Sequence, residues 1–370
     1  MKIGAINTGS SSLKFKLFED GAVLKTKTVQ NISMSNSAIS DVYSKTDLLN
    51  IKNHADALKT LIDTMEDEFK TIDILAHRVV HGGEFFTKPT LIDDEVIERL
   101  KSLKNLNPLH NEINLAGIIM AKELMPNLKQ VALFDTAFHT TMPKEAFLYA
   151  IDPMFYEKYG VRKYGFHGLS HSYLTKKAAN LLQKNIDELN LITLHLGNGA
   201  SVCAIKNGKS IDTSMGFTPL EGLVMGSRSG DIDAGVIFYM QRELGLSIDE
   251  VDDILNKKSG LVALAKSNDF QKIDDELAIE IFARRIKKYI GAYRELLGRV
   301  DGIVFSGGIG ENSAMLRERV MGESVDVVKN IKNETIISKK DSEVKILVIK
   351  TDEEMEMVTQ IEEDPRFCVI

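Results

Sequence analysis

Apolar residues in this 370-residue chain form the same short pattern twice, about half a chain apart. In each copy an apolar run rich in β-forming residues meets a turn of small residues, and a second apolar run follows, which predicts a β-hairpin. The first copy spans residues 3–18 and the second spans residues 191–205. Aligning Gly9 with Gly197 gives an offset of 188 residues (197 minus 9). The spacing predicts two duplicated halves, each of which carries a small polar turn.

Outside these hairpins, the spacing of apolar residues alternates between helical and extended patterns. Helices are predicted at residues 54–69, 93–103, 114–125, 170–182, 247–256 and 274–297. Short buried strands are predicted at residues 72–76, 131–134, 302–305 and 344–349. The polar stretch at 31–52, rich in Ser and Asn, predicts an irregular connection. Strands that alternate with helices indicate an α/β fold, and 370 residues suffice for two domains with full cores.

Composition places the chain among globular proteins and excludes several functional classes. Apolar residues make up 44% of the chain and charged residues 27%, which is typical of a packed soluble protein. The net charge of −7, without a dominant basic run, argues against a nucleic-acid partner. Cys203 and Cys368 are the only cysteines, so neither a disulfide framework nor a thiolate metal cluster is expected. A signal-peptide pattern and long uncharged apolar runs are both lacking, so we expect a cytoplasmic protein without a membrane partner.

Charged side chains lie where two predicted strands end. Arg78 follows strand 72–76 closely, and Asp135 comes directly after strand 131–134. Open α/β sheets bind ligands at the carboxyl ends of their strands, so both residues are candidates for a site. The alternatives are an ordinary surface ion pair for Arg78 and the capping of a turn for Asp135.

Two glycine-rich stretches carry a cationic or hydrogen-bonding side chain. His167 lies between Gly165 and Gly168, where it can donate hydrogen bonds to an anion, although a structural histidine is the alternative. Arg228 lies in residues 213–230, whose many glycines predict a shaped loop rather than a core element.

Acidic residues adjoin two later segments. Asp231 and Asp233 precede a stretch that becomes helical near Ala234, and we expect them to cap that helix rather than to bind a metal. The last strand ends at Thr351–Glu354, whose carboxylates either hold a cation or begin the final helix, where they suit the helix dipole.

A glycine run at 306–312 follows the predicted strand 302–305 and precedes a helix. Free backbone N–H groups and a helix N-terminus favour phosphate there, although the spacing matches neither the dinucleotide nor the P-loop motif. Arginines, histidines, glycine turns and strand-end carboxylates are together what phosphoryl transfer requires.

Twelve motifs along nearly the whole chain then resemble the acetate kinase family, within the superfamily of sugar kinases, heat-shock ATPases and actin. The motifs are INTGSSSLKFKLF, HRVVHGGE, PLHN, FDTAFHTTMP, RKYGFHG, HLGNGAS, TSMGFTPLEGL, MGSRSGDID, NKKSG, SNDF, FSGGIGENS and TDEE. The resemblance implies two duplicated actin-like, ribonuclease H-like α/β domains with mixed sheets around a central cleft. It implies a first domain of residues 1–138 plus 354–370, a second domain of residues 139–353, and a homodimer.

The resemblance also implies a reaction, the reversible transfer of the ATP γ-phosphoryl group to acetate to give acetyl phosphate and ADP. Arg78 and Arg228 would bind the carboxylate and the migrating phosphoryl group, and His167 would stabilise the transition state with Arg228. Because a carboxylic acid is already ionised at pH 7, Asp135 is interpreted as an organiser of metal and water rather than as a base.

Further residues receive roles from the same resemblance. His110 would support the catalytic residues. The methyl pocket would consist of Val80, Leu109, Phe166 and Pro219. Mg²⁺, or alternatively Mn²⁺, would be held by Asn7 and Glu353. The nucleotide would contact Lys14, His195, Leu196, Gly197, Asn198, Gly199, Asp269, Phe270, Gln271, Gly308, Ile309, Gly310, Glu311 and Asn312.

Some positions depart from the family pattern, and other functions remain open. Gln271 replaces the usual arginine and leaves the nucleotide preference open, while Leu169 and Ala234 replace a threonine and a proline. A propionate or butyrate kinase would differ in pocket volume alone. A polyol kinase would use Asp135 as a base, and an ATPase clamp of the same superfamily would lack the pair of arginines.

Overall fold

The computed structural model describes residues 1–9, 11–34, 36–41, 44–47, 51–103, 108–322 and 333–367, without the side chains of Asp47 and residues 108–110. The chain forms two compact units, unit 1 of residues 1–137 plus 352–370 and unit 2 of residues 138–351. Asp352 and Glu353 therefore belong to the first unit rather than to the second, and Phe138 belongs to the second. Within the described ranges, no helix has the length and apolar character needed to cross a bilayer.

Unit 1 contains a mixed sheet of eight described strands. The strands are β1 (Lys2–Thr8), β2 (Ser12–Glu19), β3 (Ala22–Gln30), β4 (Ala38–Ser40), β5 (Lys45–Asp47), β6 (Ile74–Val79), β7 (Thr90–Leu91) and β8 (Lys129–Phe134). Their order is β5-β4-β3-β2-β1-β6-β8-β7. β1, β6 and β8 are parallel neighbours, and β1, β2 and β3 form an antiparallel meander.

Helices cover this sheet because each carries an apolar stripe. They are α1 (His54–Thr64), α2 (Glu66–Phe69), α3 (Asp94–Ser102), α4 (Pro108–Leu124) and, from the end of the chain, α14 (Glu353–Glu362). Leu58 and Leu61 of α1 are fully buried in one core with Phe15 of β2. Burial of each such side chain contributes about 1.5–3 kcal/mol, so α1 is held mainly by its contact with the sheet.

Unit 2 contains a second mixed sheet with six described strands. The strands are β9 (Leu191–Leu196), β10 (Ala200–Lys206), β11 (Lys209–Thr213), β12 (Gly302–Ser306), β13 (Thr335–Ile336) and β14 (Lys345–Val348). Their order is β11-β10-β9-β12-β14-β13. β9, β12 and β14 are parallel neighbours, and β9, β10 and β11 form an antiparallel meander.

The same topology therefore occurs in both units. In each, an antiparallel meander supplies its first strand to a parallel trio, so that β1, β6 and β8 correspond to β9, β12 and β14. The predicted duplication is confirmed at the level of the fold.

Unit 2 has most of the described helices. They are α5 (Lys144–Phe147), α6 (Met154–Tyr159), α7 (Gly168–Leu182), α8 (Ala234–Arg242), α9 (Ile248–Lys257), α10 (Gly260–Ala265), α11 (Glu276–Leu297), α12 (Gly307–Asn312) and α13 (Ala314–Met321). The longest, α11, begins after Asp275, whose side chain accepts a hydrogen bond from the N–H of Ala278. Its stripe of buried residues includes Phe282, Ile286 and Tyr293.

Several local predictions were wrong in informative ways. The stretch at 31–52 contains β4 and β5, because Ile39 is buried beside β3 and extends the sheet. The predicted helix 54–69 is interrupted at Met65, whose ψ of 35° is not helical. The helix predicted from residue 114 begins at Pro108, a favoured first helical residue.

Candidate functional site

Three polar residues of unit 1 lie at the carboxyl ends of its parallel strands. Asn7 is in β1, Arg78 is in β6 and Asp135 follows β8. Arg78 lies within its strand rather than after it, which corrects the prediction. The N–H of Asp135 donates to the carbonyl of Val79 at 3.0 Å, so the parallel pairing continues up to the carboxylate. The sheet therefore brings the three side chains together.

Arg78 and Asp135 form a partly buried, bidentate ion pair. Arg78 donates from Nε to Oδ1 of Asp135 at 3.1 Å and from Nη2 to Oδ2 at 2.6 Å. Its Nη1 donates to Oδ1 of Asn7 at 2.8 Å. Burial by itself lowers the pKa of Arg78, but Asp135 and Glu353 outweigh it and raise that pKa above its ordinary value. The alternative of a surface ion pair is wrong, because Asp135 is 1% exposed.

The last helix of the chain adds two carboxylates to this cluster. Asn7 Nδ2 donates to Oε2 of Glu353 and to Oε1 of Glu354, both at 2.8 Å. The other oxygen of Glu354 accepts from Nζ of Lys14 at 2.8 Å, and Lys16 Nζ lies 3.2 Å from it. Burial alone raises the pKa of Glu354, but the two lysines outweigh burial and lower it. Lys14, predicted to contact phosphates, is thus placed beside Glu354.

Oxygen donors of this cluster fit Mg²⁺. Mg²⁺ takes one or two carboxylates and completes its shell with waters and substrate phosphates. Asn7 Oδ1, Asp135 and Glu353 supply such oxygens around one arginine. Among the described residues, no three His, Cys, Asp or Glu side chains are arranged to hold a metal by themselves. An amide oxygen and two carboxylates are a donor set that suits Mg²⁺ shared with substrate phosphates.

The predicted methyl pocket is described only in part. Val80 is buried in unit 1, where its N–H donates to Asn114 Oδ1 at 3.0 Å. Phe166 is buried in unit 2, and Pro219 of that unit is half-buried. The side chains of Leu109 and His110 lie outside the described part of the structure, so their roles stay predictions.

His167 introduces helix α7 in a left-handed conformation that few non-glycine residues adopt. Its φ is 57° and its ψ is 26°. Nδ1 lies 2.9 Å from Ser201 Oγ, and the ring stacks on His195 with 4.3 Å between ring centroids. A Cβ on Gly199 would lie 3.2 Å from His167 Nε2 and 3.7 Å from Arg228 Nη1. Gly199 therefore leaves space in front of the His167 imidazole and the Arg228 guanidinium.

Arg228 is partly buried in the glycine-rich loop, without a carboxylate partner among the described residues of unit 2. Its Nη1 donates to the carbonyl of Pro219 at 3.2 Å. Burial lowers its pKa, because no opposite charge compensates for the lost hydration. An arginine held in this way favours an anionic ligand, in contrast to Arg78, whose charge Asp135 neutralises.

Of the two aspartates predicted to cap the helix after the Arg228 loop, one caps the helix and the other stabilises the loop. Asp233 caps α8 through the N–H of Gly235 at 2.8 Å, as predicted. Asp231 does not cap that helix. Its Oδ1 accepts from the N–H of Gly222 at 2.7 Å, and its Oδ2 accepts from Tyr289 at 2.9 Å, so it closes the loop instead.

A cavity of ≈ 320 Å³ brings three predicted nucleotide-binding segments together in unit 2. From the predicted set it is lined by Gly197, Asn198, Asp269, Phe270, Gln271, Gly308, Ile309 and Asn312. Sequence reasoning missed Asn268 and Ser313, which also line it and adjoin predicted residues in the chain. His195, Leu196, Gly199, Gly310 and Glu311 are not among the lining residues, although all lie in the same two segments.

The glycine run at 306–312 is not the expected loop. It forms α12 directly after β12, and the carboxylate of Glu311 accepts from the N–H of Gly307 at 2.9 Å and of Thr351 at 3.2 Å. The chain's own carboxylate therefore occupies the first N–H of this short helix. Gly308 and Asn312, which are exposed residues of α12, line the cavity.

The sequence patterns did not identify some residues around Arg78 in unit 1 and around His167 in unit 2, because only tertiary contacts connect them to the site. Glu354 of unit 1, and Ser170 and Ser201 of unit 2, contact predicted site residues directly. Lys16 is linked to them through Glu354. A paired-acid motif such as TDEE was the one available signal for Glu354, whereas isolated serines in strands and helices carry no comparable signal.

A family model, a curated relative and solved structures all relate the chain to the acetate kinases and their family. The model of the acetokinase family matches residues 2–360. The acetate kinase of Sulfurimonas denitrificans is 48% identical, over 98% of this chain and 99% of that protein. The crystal structure of Porphyromonas gingivalis acetate kinase has a TM-score of 0.89 at 38% identity, over 97% of this chain and 98% of that one. A propionate kinase structure from Francisella tularensis has a TM-score of 0.91 at 39% identity, with the same coverage.

Proposed function

Because the chain belongs to the acetokinase family, we propose that it transfers the γ-phosphoryl group of ATP reversibly to acetate, giving acetyl phosphate and ADP. The observation that carries the proposal is the partly buried Arg228. It has no carboxylate partner in the described part of unit 2, and it lies with His167 Nε2 next to the space left by Gly199. Phosphoryl transfer depends on positioning and charge neutralisation more than on covalent chemistry. A desolvated cation next to a hydrogen-bond donor supplies both.

The acceptor needs no general base. A short carboxylic acid is ionised at pH 7, so its oxygen is already a nucleophile. The obstacle is the repulsion between two anions, which at 4 Å is about 4 kcal/mol per pair of unit charges at an effective dielectric constant of 20. We assign Arg78 and Arg228 to offset this repulsion, with Asp135 fixing the Arg78 guanidinium through its two hydrogen bonds.

The nucleotide is assigned to the cavity of unit 2. Phe270 supplies an apolar surface, while Gly197 and Gly308 leave backbone exposed to an approaching phosphate. His167 and Arg228 then donate to oxygens of the transferred group. Gln271 lies in this cavity where the family has a cation, so discrimination between nucleotide bases is expected to rest on hydrogen bonding rather than stacking on a cation.

Asn7, Asp135 and Glu353 are the residues we assign to Mg²⁺, with Mn²⁺ as an alternative occupant. When bound, the ion neutralises charge on phosphate oxygens. Arg78 keeps the three oxygen-bearing side chains in place, since it contacts all of them.

Propionate kinase is the second candidate within this family, because a propionate kinase structure is as similar as the acetate kinase structure. The relative from Sulfurimonas denitrificans is an acetate kinase, which favours acetate as the acceptor. One methylene is worth about 1–3 kcal/mol in an apolar pocket, so overlapping use of the two acids is expected. An ATPase clamp of the same fold is disfavoured by the similarity to acetate kinases along the whole chain.

We also propose a cytoplasmic homodimer. Helix α8 buries none of its residues within its own chain, although it contains Val236, Phe238 and Tyr239. Phe238 is 52% exposed and Tyr239 57% exposed. A helix of nine residues gains most of its stability from packing, so a second copy that covers α8 accounts for its apolar face.

The proposed reaction is tested by a hydroxamate assay of the purified protein with ATP, Mg²⁺ and, separately, acetate, propionate, butyrate and glycerol. Hydroxylamine traps acyl phosphates but not phosphate esters, so we expect the strongest signal with acetate and none with glycerol. A stronger signal with propionate would favour the second candidate. ATP binding without a signal from any carboxylate would contradict the proposal.

A further inference from the structure

The imidazole of His167 is backed by a chain of three polar side chains. Ser201 Oγ lies 2.9 Å from His167 Nδ1 and 2.8 Å from Nε2 of His171. The other ring nitrogen of His171, Nδ1, lies 2.7 Å from Thr193 Oγ1. Ser201, His171 and Thr193 are each 0% exposed, so water does not compete for these hydrogen bonds.

His171 is neutral in this environment. Burial lowers its pKa well below the ordinary value, and the neighbouring rings of His139 and His195 lower the pKa further. A neutral imidazole carries one hydrogen, so one ring nitrogen of His171 donates and the other accepts. The direction of the whole chain of hydrogen bonds is therefore set by which nitrogen receives a hydrogen.

Counting hydrogens distinguishes two possible directions. Ser201 has one hydroxyl hydrogen and contacts two ring nitrogens, so it donates to one and accepts from the other. If His171 donated to Thr193, the hydroxyl hydrogen of Thr193 would need another acceptor. In the described part of the chain, the hydroxyl of Thr193 has His171 Nδ1 as its hydrogen-bond partner and no second acceptor. A buried donor without an acceptor is costly, whereas a spare lone pair on a hydroxyl costs less.

The opposite direction satisfies every donor. Thr193 donates to His171 Nδ1, His171 donates from Nε2 to Ser201, and Ser201 donates to His167 Nδ1. Because Nδ1 of His167 accepts from Ser201 in this direction, the ring hydrogen of His167 lies on Nε2, the atom beside Gly199 and Arg228. A ring nitrogen in this state donates to an anionic oxygen, whereas an unprotonated nitrogen would repel it.

We propose that Thr193, His171 and Ser201 are positioning residues that hold His167 in the Nε2–H tautomer required to donate a hydrogen bond to the transferred phosphoryl group. The inference about catalysis rests on the proposed function, but the tautomer itself does not. Histidine tautomers are set by the hydrogen bond made by the other ring nitrogen.

The tautomer is measured directly by ¹⁵N NMR of protein labelled at histidine, with the His167 signals assigned by their loss in His167→Gln. We expect a protonated Nε2 and an unprotonated Nδ1 for His167 in the native protein. A protonated Nδ1 would overturn the proposal whether or not any variant folds, and whether or not the protein phosphorylates acetate.

Variants of Thr193 test the connection to turnover. Thr193→Val removes the first donor, and we expect mixed His167 tautomers and a kcat lower by about tenfold, with KM for ATP within about twofold of the native value. Thr193→Ser keeps a hydroxyl and should restore both. The matched control is Thr175→Val, because buried Thr175 donates to the backbone carbonyl of His171 at 2.7 Å and does not contact its ring.

The control should keep the native tautomer and native kcat. A folded Thr193→Val variant with a native tautomer and native kcat would overturn the proposal. If the native protein shows the expected tautomer but makes no acetyl phosphate, the proposed function fails while the hydrogen-bond chain stands.

Discussion

At the scale of single residues, the two arginines assigned to the reaction are held in opposite ways. Arg78 is fixed by Asp135 and Asn7, so its direction is set before any ligand arrives. Arg228 donates to the backbone carbonyl of Pro219, and burial lowers its pKa. Arg78 is therefore suited to orienting a ligand. Arg228 is suited to binding an anion, because an anion would supply the opposite charge that its described surroundings lack.

Asp135→Asn tests this division of roles. The amide keeps the shape of the side chain but removes the charge opposite Arg78 and a hard oxygen donor for Mg²⁺. We expect kcat to fall by about 100-fold or more, with KM for ATP within about threefold of the native value. Steady-state kinetics on protein shown to be folded by circular dichroism measure both parameters.

The matched control for this substitution is Glu95→Gln. It makes the same change from acid to amide at an exposed arginine pair, where Glu95 accepts from Arg99 at 2.9 Å. Exposed pairs contribute about 1 kcal/mol or less, so this variant should behave as the native protein does. Native turnover in Asp135→Asn would refute the assigned role.

At the scale of elements, α12 shows how a glycine run is used. Gly307 has a φ of 75°, and a Cβ there would lie 2.6 Å from the carbonyl oxygen of Leu196. Gly308 has open space around its Cβ position and no positive φ. The first glycine is therefore required by the turn from β12 into α12, while the second is exposed on the cavity side.

Gly307→Ala should lower the stability of unit 2 by about 1–3 kcal/mol, because the left-handed conformation and the contact with Leu196 both penalise a side chain. Gly308→Ala should leave stability unchanged or raise it by up to about 1 kcal/mol through helix propensity. The midpoints of urea unfolding compare the two. Equal midpoints would show that the turn relaxes without cost.

Local patterns predicted the hairpins, the strand-end acid and most helices, because apolar periodicity reflects burial within each element. They did not predict hydrogen-bond partners that come from distant parts of the chain. Asp231 resembles a helix cap in the sequence, but Gly222 and Tyr289 from other parts of the chain engage its carboxylate. The carboxylate of Glu311, whose contact with the nucleotide stays a prediction, accepts from the N–H groups of Gly307 and Thr351, which no local pattern indicated. Such competition between partners becomes visible only after the chain has folded.

At the scale of the whole molecule, two units with the same strand topology are used differently. Unit 1 gathers carboxylates and lysines around Asn7 and Arg78. Unit 2 has the cavity lined by predicted nucleotide-binding residues, and Arg228 has no carboxylate partner in the described part of that unit. The two sheets therefore place residues at equivalent strand ends, and the identity of those residues differs between the units. The exposed apolar residues of α8 form the surface to which we assign the proposed dimer contact.

The proposed dimer is tested by the double substitution Phe238→Glu and Tyr239→Glu. Two charges on the apolar face of α8 should reduce the mass in solution from twice the 41.2 kDa chain mass to a single chain. Light scattering after size exclusion measures this mass. Leu91→Glu is the control, because Leu91 is 49% exposed in unit 1 and should leave the dimer intact. A dimer that survives the double substitution would place the interface elsewhere.

The return of α14 to unit 1 has a consequence for the order of synthesis on the ribosome. Unit 2 is one continuous segment, whereas Lys14 and Lys16 of unit 1 pair with Asp352 and Glu354 from near the other end of the described chain. At about 5–20 residues per second, Glu354 emerges some tens of seconds after Lys14. Unit 2 has its full complement of residues first, and the nascent amino-terminal segment meanwhile carries lysines without their final partners. The part of the protein that is made first is thus the part that is completed last.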